Sequence, residues 1–575
     1  MNVWPSWCVW FGLMLGAVSA VEPLPGGREL GVGSALSAWT DAKIGKADSL
    51  AGGGKGLTVT NPVPDRAYVA QFARALPDAE IRRGDRVLVM VHARVVGVEE
   101  GELTVKLQER NPPHKTPAAD ASFPIYAGWR DYPVLFPAGA DVATGQAQVV
   151  LFCGQRTQRV EVASVRAWQY PESVPLADFP RIRRSYPGRE PDALWRKAAL
   201  ARIERDRQAN FAVAVRGADG QPLRNAEVRL TLRRHAFGFG SAVPIKWLLD
   251  EGEDGRRYRE IVDRHFSQIV FENDLKDFDW KPGASPEHRA RRNERLDRAL
   301  AWLAERHITV RGHYLMQVAR PPNLSGMTNV AVLREHFLAS TRERLETVGS
   351  RVVEWDVINH PVAWGGADML SKVPGLERLD REVFTLARSL TKLPLLVNED
   401  QLFRPGRQSD ETFDYVQALV RDGFPVAGVG NQAHIHESFL PSPEHVLRVT
   451  DRFAQAAPQQ VITEFDVVTT ADEELATDYT RDLLIACFSH PTYSGFLWWG
   501  FWERSHWKPE AASWNRDWTP RGRAAVFEEW ISGKWRTEVT VRTDAQGIAR
   551  WRGFPGWYAA QAAGAALPMV EARAR

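Results

Sequence analysis

Through the middle of the chain two hydrophobic rhythms alternate. Runs that are apolar almost without interruption occur at FGFGSAV (237–243), FSQIVFEND (266–274), ITVRGHYLM (308–316), VVEWDVINH (352–360), LPLLVNED (393–400), VAGVGNQAHIH (426–436), QVITEFDV (460–467) and YSGFLWWGFW (493–502). They are short and rich in β-branched and aromatic residues, as strands buried on both faces should be. Between them lie stretches with apolar residues at helical spacing, among them LDRALAWLAERH (296–307), REVFTLARSLTK (381–392), DETFDYVQALVRDG (410–423) and ELATDYTRDLLIACF (474–488). Eight such strands, each followed by a helix, predict an α/β fold, a (β/α)8 TIM barrel over 236–533. A doubly wound open sheet ordinarily carries a Gly-rich phosphate loop after its first strand, and none is visible.

The flanks follow a period of two. VLVMVHARVVG (87–97), LTVKLQE (103–109) and AQVVLFCG (147–154), separated by Gly, Pro and Asp, predict an N-terminal β-sandwich over 21–175. It is either purely structural or a carbohydrate-binding module, with Trp129, Tyr132 and Trp168 as candidate platforms. The proline-punctuated run YPESVPLADFPRIRRSYPGREP (170–191) reads as a linker. A helix from Ala193 to Asp206 and a strand pair turning at ADGQP complete a segment 176–235 that leads into the barrel. Residues 534–575 alternate again around DAQG and are expected to pair with that small β-element.

With 575 residues the chain is too long for one core, so several domains are expected. Its 73 basic residues against 71 acidic ones give no reason to expect a nucleic-acid or membrane-surface partner. Residues 1–20 are apolar from Val9 to Val18 and end with Val18 and Ala20 at the positions a signal peptidase reads. They predict a secretory signal and a secreted or periplasmic protein, although no Lys or Arg precedes the apolar run; the alternative is an apolar strand or anchor. No other run is long enough to span a bilayer. Cys8 leaves with the signal, so Cys153 and Cys487 are expected as buried, inert thiols rather than a disulfide framework. The 22 Trp against 11 Tyr suit stacking on sugar rings and large cores equally.

In such a barrel the C-terminal strand tips build the site. They carry Glu272, Asn273 and Lys276; His313; Asn359 and His360; Asn398, Glu399 and Asp400; Gln432, His434, His436 and Glu437; Glu464 and Asp466; Trp499, Glu503 and Trp507. Carboxylates, amides, imidazoles and Trp without Cys or a phosphate loop suit a sugar, and no cofactor is implied. His360, His434 and His436 lack a recognised ligand spacing, so no metal is expected. Glu464, following mostly apolar residues, is costly to bury without partners; it is either half of an ion pair or a reactive carboxylate. Asp466 points the same way two residues on and could orient a histidine bonded to Glu464, with His434 the natural middle member.

VRGHYLM, EWDVIN, VGNQAH, ITEFDV and WWGFWERSHW, in that order over roughly 235–530, resemble glycoside hydrolase family 10, the endo-1,4-β-xylanases. The resemblance implies a barrel of retaining enzymes that cleave β-1,4-xylan or a related hemicellulose with two glutamates. It implies Glu464 as nucleophile and Asp466 as its support. It further implies Glu272, Asn273, Lys276, His313, Asn359, Gln432 and His434 as sugar-binding groups, with Trp499 and Trp507 stacking. Two positions depart from the pattern: the acid/base Glu after the Asn is His360, and a Trp is Gln317. His360 could be the acid/base itself, or Glu399 or Glu437 could take over while His360 binds substrate. In a third reading the barrel is a carbohydrate-binding protein with weakened or lost catalysis, or acts on a substrate whose leaving group needs no proton.

Overall fold

The structure is a computed structural model describing residues 21–573 apart from 32–36, 41–45, 50–56, 62–66, 99, 183, 218, 278–279, 281–283, 321–323, 364–369, 470–471 and 563–564. The expected signal at 1–20 lies outside the described residues. The chain forms two compact units, Met1–Arg183 and Arg184–Arg575.

The first unit is built from two antiparallel sheets. One is organised on Gln158–Tyr170, Arg86–Val96 and Arg130–Pro137, the other on Ala70–Leu76, Ala147–Phe152, Glu100–Glu109 and Ala121–Tyr126. Alternate residues such as Val87, Val89 and Val91 face Leu103, Val105 and Leu107 in one shared core, with Cys153 buried beside them. Two of the three candidate sugar platforms are buried by this packing, and the third, Trp129, is half-buried. Tyr132 and Trp168 are 2% and 4% exposed, and Trp129 is covered by the parallel ring of His92 at 5.2 Å and by the Arg94 guanidinium at 4.8 Å. Period-two alternation assigns the residues to strands, but whether an aromatic face is left open depends on neighbours from other strands.

In the second unit the barrel strands are β1 Gly238–Ala242, β2 Gln268–Val270, β3 Thr309–Gln317, β4 Trp355–Asn359, β5 Leu395–Glu399, β6 Val426–Asn431, β7 Gln459–Val468 and β8 Tyr493–Trp498. Each pairs in parallel with the next, and β8 pairs with β1. Closure leaves no strand edge unpaired, which is why these strands tolerate nearly continuous apolar sequence. Ala242, Val270, Leu396, Val461 and Leu497, from five strands, form with Trp499 a small separate apolar cluster that fills the barrel interior. The outer helices start where local chemistry demands. At Ser285–Pro286 and Ser442–Pro443 the Ser hydroxyl accepts from the N–H three residues on, and Pro occupies the first helical position, where its missing N–H costs nothing.

The stretch expected as a linker is, from Tyr186 onward, part of this unit. Arg196 forks onto Asp482 at 2.9 and 2.6 Å, the Tyr186 hydroxyl donates to the same carboxylate at 2.9 Å, and Arg189 reaches Asp478 at 2.8 Å. These contacts bury the outer side of the helix Glu473–Ser489, whose Asp482 is fully buried. Proline spacing announces an irregular path but cannot show that its arginines find buried carboxylates. The strands flanking the barrel meet as one element: Ala209–Ala214 pairs with Ile548–Gly553, and Glu227–His235 lies between Glu538–Arg542 and Gly556–Ala562.

Candidate functional site

Glu464 lies in β7, where a register shift against β8 falls between Ile462 and Phe465. A bulge of this kind turns side chains out of strict alternation. Adjacent Thr463 and Glu464 therefore both reach Asn398 of β5: the Thr463 hydroxyl donates to Asn398 Oδ1 at 2.8 Å, and Asn398 Nδ2 donates to Glu464 Oε1 at 2.8 Å. His434 Nε2 stands 3.5 Å from Glu464 Oε2, and its Nδ1 donates to Asp466 Oδ2 at 2.8 Å. Asp466 also accepts from the Trp507 indole at 2.8 Å and the Lys508 ammonium at 3.3 Å. Burial works against the charge on Glu464, but the His434 hydrogen bond and the positive groups around it, His434 and Lys276 among them, outweigh it and hold the carboxyl at about 2. Burial likewise works against His434, and Asp466 and Glu464 override it, raising the imidazole to about 10. At neutral pH the pair is a carboxylate facing an imidazolium, with Asp466 behind.

On the other side of Glu464, His313 Nε2 is 3.9 Å from Oε1 and has no hydrogen-bond partner among the described residues, while Nδ1 donates to Asp356 at 2.8 Å. Asp356 is held in turn by the buried Arg311. Burial lowers the His313 pKa despite Asp356, so Nε2 presents a lone pair to a ligand hydroxyl. Lys276 places its ammonium 5.0 Å over the Trp499 ring, and burial lowers its pKa against the pull of Glu464 and Glu272. Burial raises Glu272, opposed by Lys276 and by a hydrogen bond from Asn273, whose side chain is otherwise exposed. Trp507 is 52% exposed and Trp499 is buried; the latter lies edge-on to His313 at 5.3 Å.

A chain of amides links Glu464 to His360, and its polarity follows from the carboxylate. An ionised Glu464 can only accept, so Asn398 must turn its NH2 toward it. The second Asn398 hydrogen goes to Asn359 Oδ1 at 2.9 Å. That oxygen, already an acceptor, also receives Gln432 Nε2 at 3.1 Å, and the other Gln432 hydrogen points at His360 Nε2, 3.1 Å away. His360 Nε2 must then be the lone-pair nitrogen, which puts the ring proton on Nδ1, facing Glu399 Oε1 at 3.3 Å. This arrangement describes a neutral imidazole oriented by a carboxylate. His360 itself sits at φ 53°, in the left-handed region, at the end of β4, a conformation His adopts more readily than bulky apolar residues.

The two alternative carboxylates are otherwise engaged. Glu399 is fully buried. Besides His360 it accepts the backbone N–H groups of Val362 at 2.8 Å, Ala363 at 3.0 Å and Asp400 at 2.8 Å, and the Gln408 amide at 3.4 Å. It ties the loop after β4 to β5. Glu437 is buried against Arg184 at 3.4 Å. Glu503 pairs with Arg521, and His436 bonds Ser438 on the exposed rim.

The profile of glycosyl hydrolase family 10 matches residues 230–534, more than half of the chain. The chain belongs to glycosyl hydrolase family 10. It is 28% identical over 370 residues to the anti-sigma-I factor RsgI6 of Acetivibrio thermocellus, covering 63% of this chain and 46% of that protein. It is 27% identical over 263 residues to endo-1,4-beta-xylanase B of Paenibacillus barcinonensis, covering 43% and 74% respectively. The chain thus spans less than half the length of the first of these relatives. Among solved structures, xylanase 10B from Thermotoga petrophila RKU-1 in complex with xylobiose is 21% identical, with TM-score 0.45, over 51% of this chain and 93% of that one.

Of the residues expected at the family 10 site, the structure gathers Glu464, His434, Asp466, His313, Lys276, Trp499, Trp507, Asn359, Gln432 and His360 around one carboxylate. Sequence reasoning placed Asn398 and Asp356 on strands but gave neither a role. Asn398 is the hub between Glu464 and Asn359, and Asp356 sets the His313 tautomer. A polar residue after LLV in β5 and one after a buried Trp in β4 were the available signals. Gln317, noted only as a departure, accepts from Asn359 at 3.3 Å.

Proposed function

We propose that this family 10 chain is a retaining glycoside hydrolase exported by its N-terminal signal. It would act on a β-1,4-linked polysaccharide, xylan or a related hemicellulose, with Glu464 as nucleophile and His360 as acid/base. One observation carries the assignment to His360: it joins Glu464 through Asn398, Asn359 and Gln432, whereas Glu399 and Glu437 are committed to holding other groups. In the first step the Glu464 carboxylate bonds to the anomeric carbon while the glycosidic C–O bond breaks and the leaving oxygen takes a proton from His360. In the second, His360 accepts a proton from water as it attacks, the sugar departs and Glu464 is free again. This amide order presents the neutral ring, which matches the second step. For the first step Nε2 must carry a proton, so the Gln432 amide has to turn its oxygen to it or give way to the leaving group. His313 Nε2, Asn359, Lys276 and the Trp499 and Trp507 rings supply contacts for a sugar. The xylanase relatives support this substrate class.

The test is product formation from xylan and from an aryl β-xyloside with an activated leaving group. Release from both, with xylan turnover reduced in His360→Ala by the 10²–10⁴-fold typical of general acid/base loss, is expected. Release from the aryl glycoside alone would show that the chain lacks a proton donor and overturn the assignment to His360. Xylan binding with no product from either substrate would leave the carbohydrate-binding alternative.

A further inference from the structure

At the N-terminal end of the barrel, opposite the strand tips, a cavity of about 160 Å³ opens between three segments. Arg233–His235 end the strand that leads to β1, Asp263–Ser267 join the helix Glu253–His265 to β2, and Ile531 and Ser532 lie in the helical segment Phe527–Lys534 that closes the barrel, with Arg536 just beyond it. Four arginines line it against one aspartate. Two of the four are accounted for. Arg234 pairs with Asp263 and donates to the carbonyls of Arg306 at 2.8 Å and Asp263 at 2.6 Å, closing a helix C-terminus. Arg264 pairs with Glu528 at 2.8 Å.

Arg233 and Arg536 have no ion pair or side-chain hydrogen bond among the described residues. The one carboxylate that acts on Arg536, Glu538, is committed to Arg229. Burial, then repulsion from Arg233, depresses the Arg536 guanidinium; with Arg264 neutralised by Glu528, the exposed Arg233 and Arg536 are the two positive groups that line the cavity without an ion pair among the described residues. The floor adds polarity but no charge. Burial holds His265 neutral at about 3, with Nδ1 2.9 Å from the Ser532 hydroxyl, and His235 at about 4, its Nε2 on the Trp535 carbonyl at 2.6 Å.

We propose that this cavity binds a small multivalent oxyanion, phosphate or a compact di- or tricarboxylate, with Arg233 and Arg536 as its forked donors and Arg264 at the rim. A guanidinium offers paired N–H groups at the spacing of two anionic oxygens, and two unpaired guanidinium groups around one cavity would each gain charge-assisted hydrogen bonds. The volume admits such an ion and excludes a polysaccharide. Because this end of a barrel governs stability rather than chemistry, and because the anion joins three chain segments, occupancy raises the unfolding temperature and leaves turnover unchanged.

The experiment is calorimetric titration and thermal unfolding of the full chain with sodium phosphate and with sodium citrate, at constant ionic strength made up with chloride. Saturable binding of either anion is expected, with a rise in unfolding midpoint. In the double variant Arg233→Met/Arg536→Met, Kd should loosen at least tenfold while aryl-glycoside turnover is retained. Phosphate alone identifies an inorganic or phosphoryl ligand, and citrate alone a carboxylate. Should the double variant not fold, Arg536→Lys, which keeps the charge and loses the fork, is expected to loosen binding several-fold. The proposal is overturned by the absence of saturable binding of both anions, or by affinity that persists unchanged in the folded variants.

Discussion

Glu399→Gln tests the amide and carboxylate network most directly. The substitution preserves size and removes one acceptor oxygen from a residue that is fully buried and accepts from five groups. If the new carbonyl takes the Oε2 place, the NH2 faces Asp400 N–H, the Gln408 amide and His360 Nδ1–H. The ring must then shift its proton to Nε2, against the Gln432 NH2. If the carbonyl takes the Oε1 place, the N–H groups of Val362 and Ala363 lose their acceptor. Either way at least two buried donors are orphaned, at about 1–3 kcal/mol each, so about 2–6 kcal/mol of stability is lost. Turnover falls as well, because His360 loses the carboxylate that orients its ring; the ceiling is the 10²–10⁴-fold of complete acid/base loss. Urea unfolding gives the first quantity, and kcat on xylan, whose leaving group needs the proton, the second. A variant within about 0.5 kcal/mol of the parent, the range of a neutral surface change, with unchanged kcat would refute the reasoning, since no placement of a glutamine satisfies all five donors.

Three further outcomes follow from the same geometry. Glu464→Gln removes the carboxylate that Asn398 and His434 serve; turnover of both xylan and aryl glycoside should fall to background, while affinity measured by titration with a xylooligosaccharide changes by less than about tenfold, roughly 1.4 kcal/mol. The coupled His434 and Glu464 set a pH window. His434, raised from 6.5 to about 10, contributes stability that is complete below pH 6.5 and lost as pH rises through 10, and Glu464, lowered from 4.5 to about 2, contributes stability present above 4.5 and lost as pH falls through 2. Unfolding free energy measured against pH should therefore hold this contribution in full between about 4.5 and 6.5, and His434→Gln should flatten the alkaline side. Arg196→Met strips the forked partner from Asp482, which is left with Tyr186 and Arg481; a loss near the low end of the 3–5 kcal/mol for a broken buried pair, about 3 kcal/mol, is expected in the denaturation midpoint.

The barrel was legible in the chain's local hydrophobic pattern. Apolar runs the length of strands, separated by stretches of helical spacing, leave few ways to bury every strand except a closed parallel ring, and both signals are local. The strand tips were legible for the same reason, since a polar residue that ends an apolar run has to be at the rim. What the tertiary structure decided depends on groups far apart in the chain. The bulge in β7 lets Thr463 and Glu464 both reach Asn398. The polarity of the amide chain, which passes from Glu464 through Asn398, Asn359 and Gln432, sets which nitrogen of His360 carries its proton. Glu399, a free carboxyl in the sequence, is consumed by Val362 and Ala363. Trp168, apt for sugars by composition, is buried under Arg166, and Trp129 is half-buried against His92 and Arg94. A hydrophobic pattern is a property of neighbours along the chain. Hydrogen-bond direction, burial of a carboxylate and access to an aromatic face are properties of neighbours in space, and they exist only once the ring has closed.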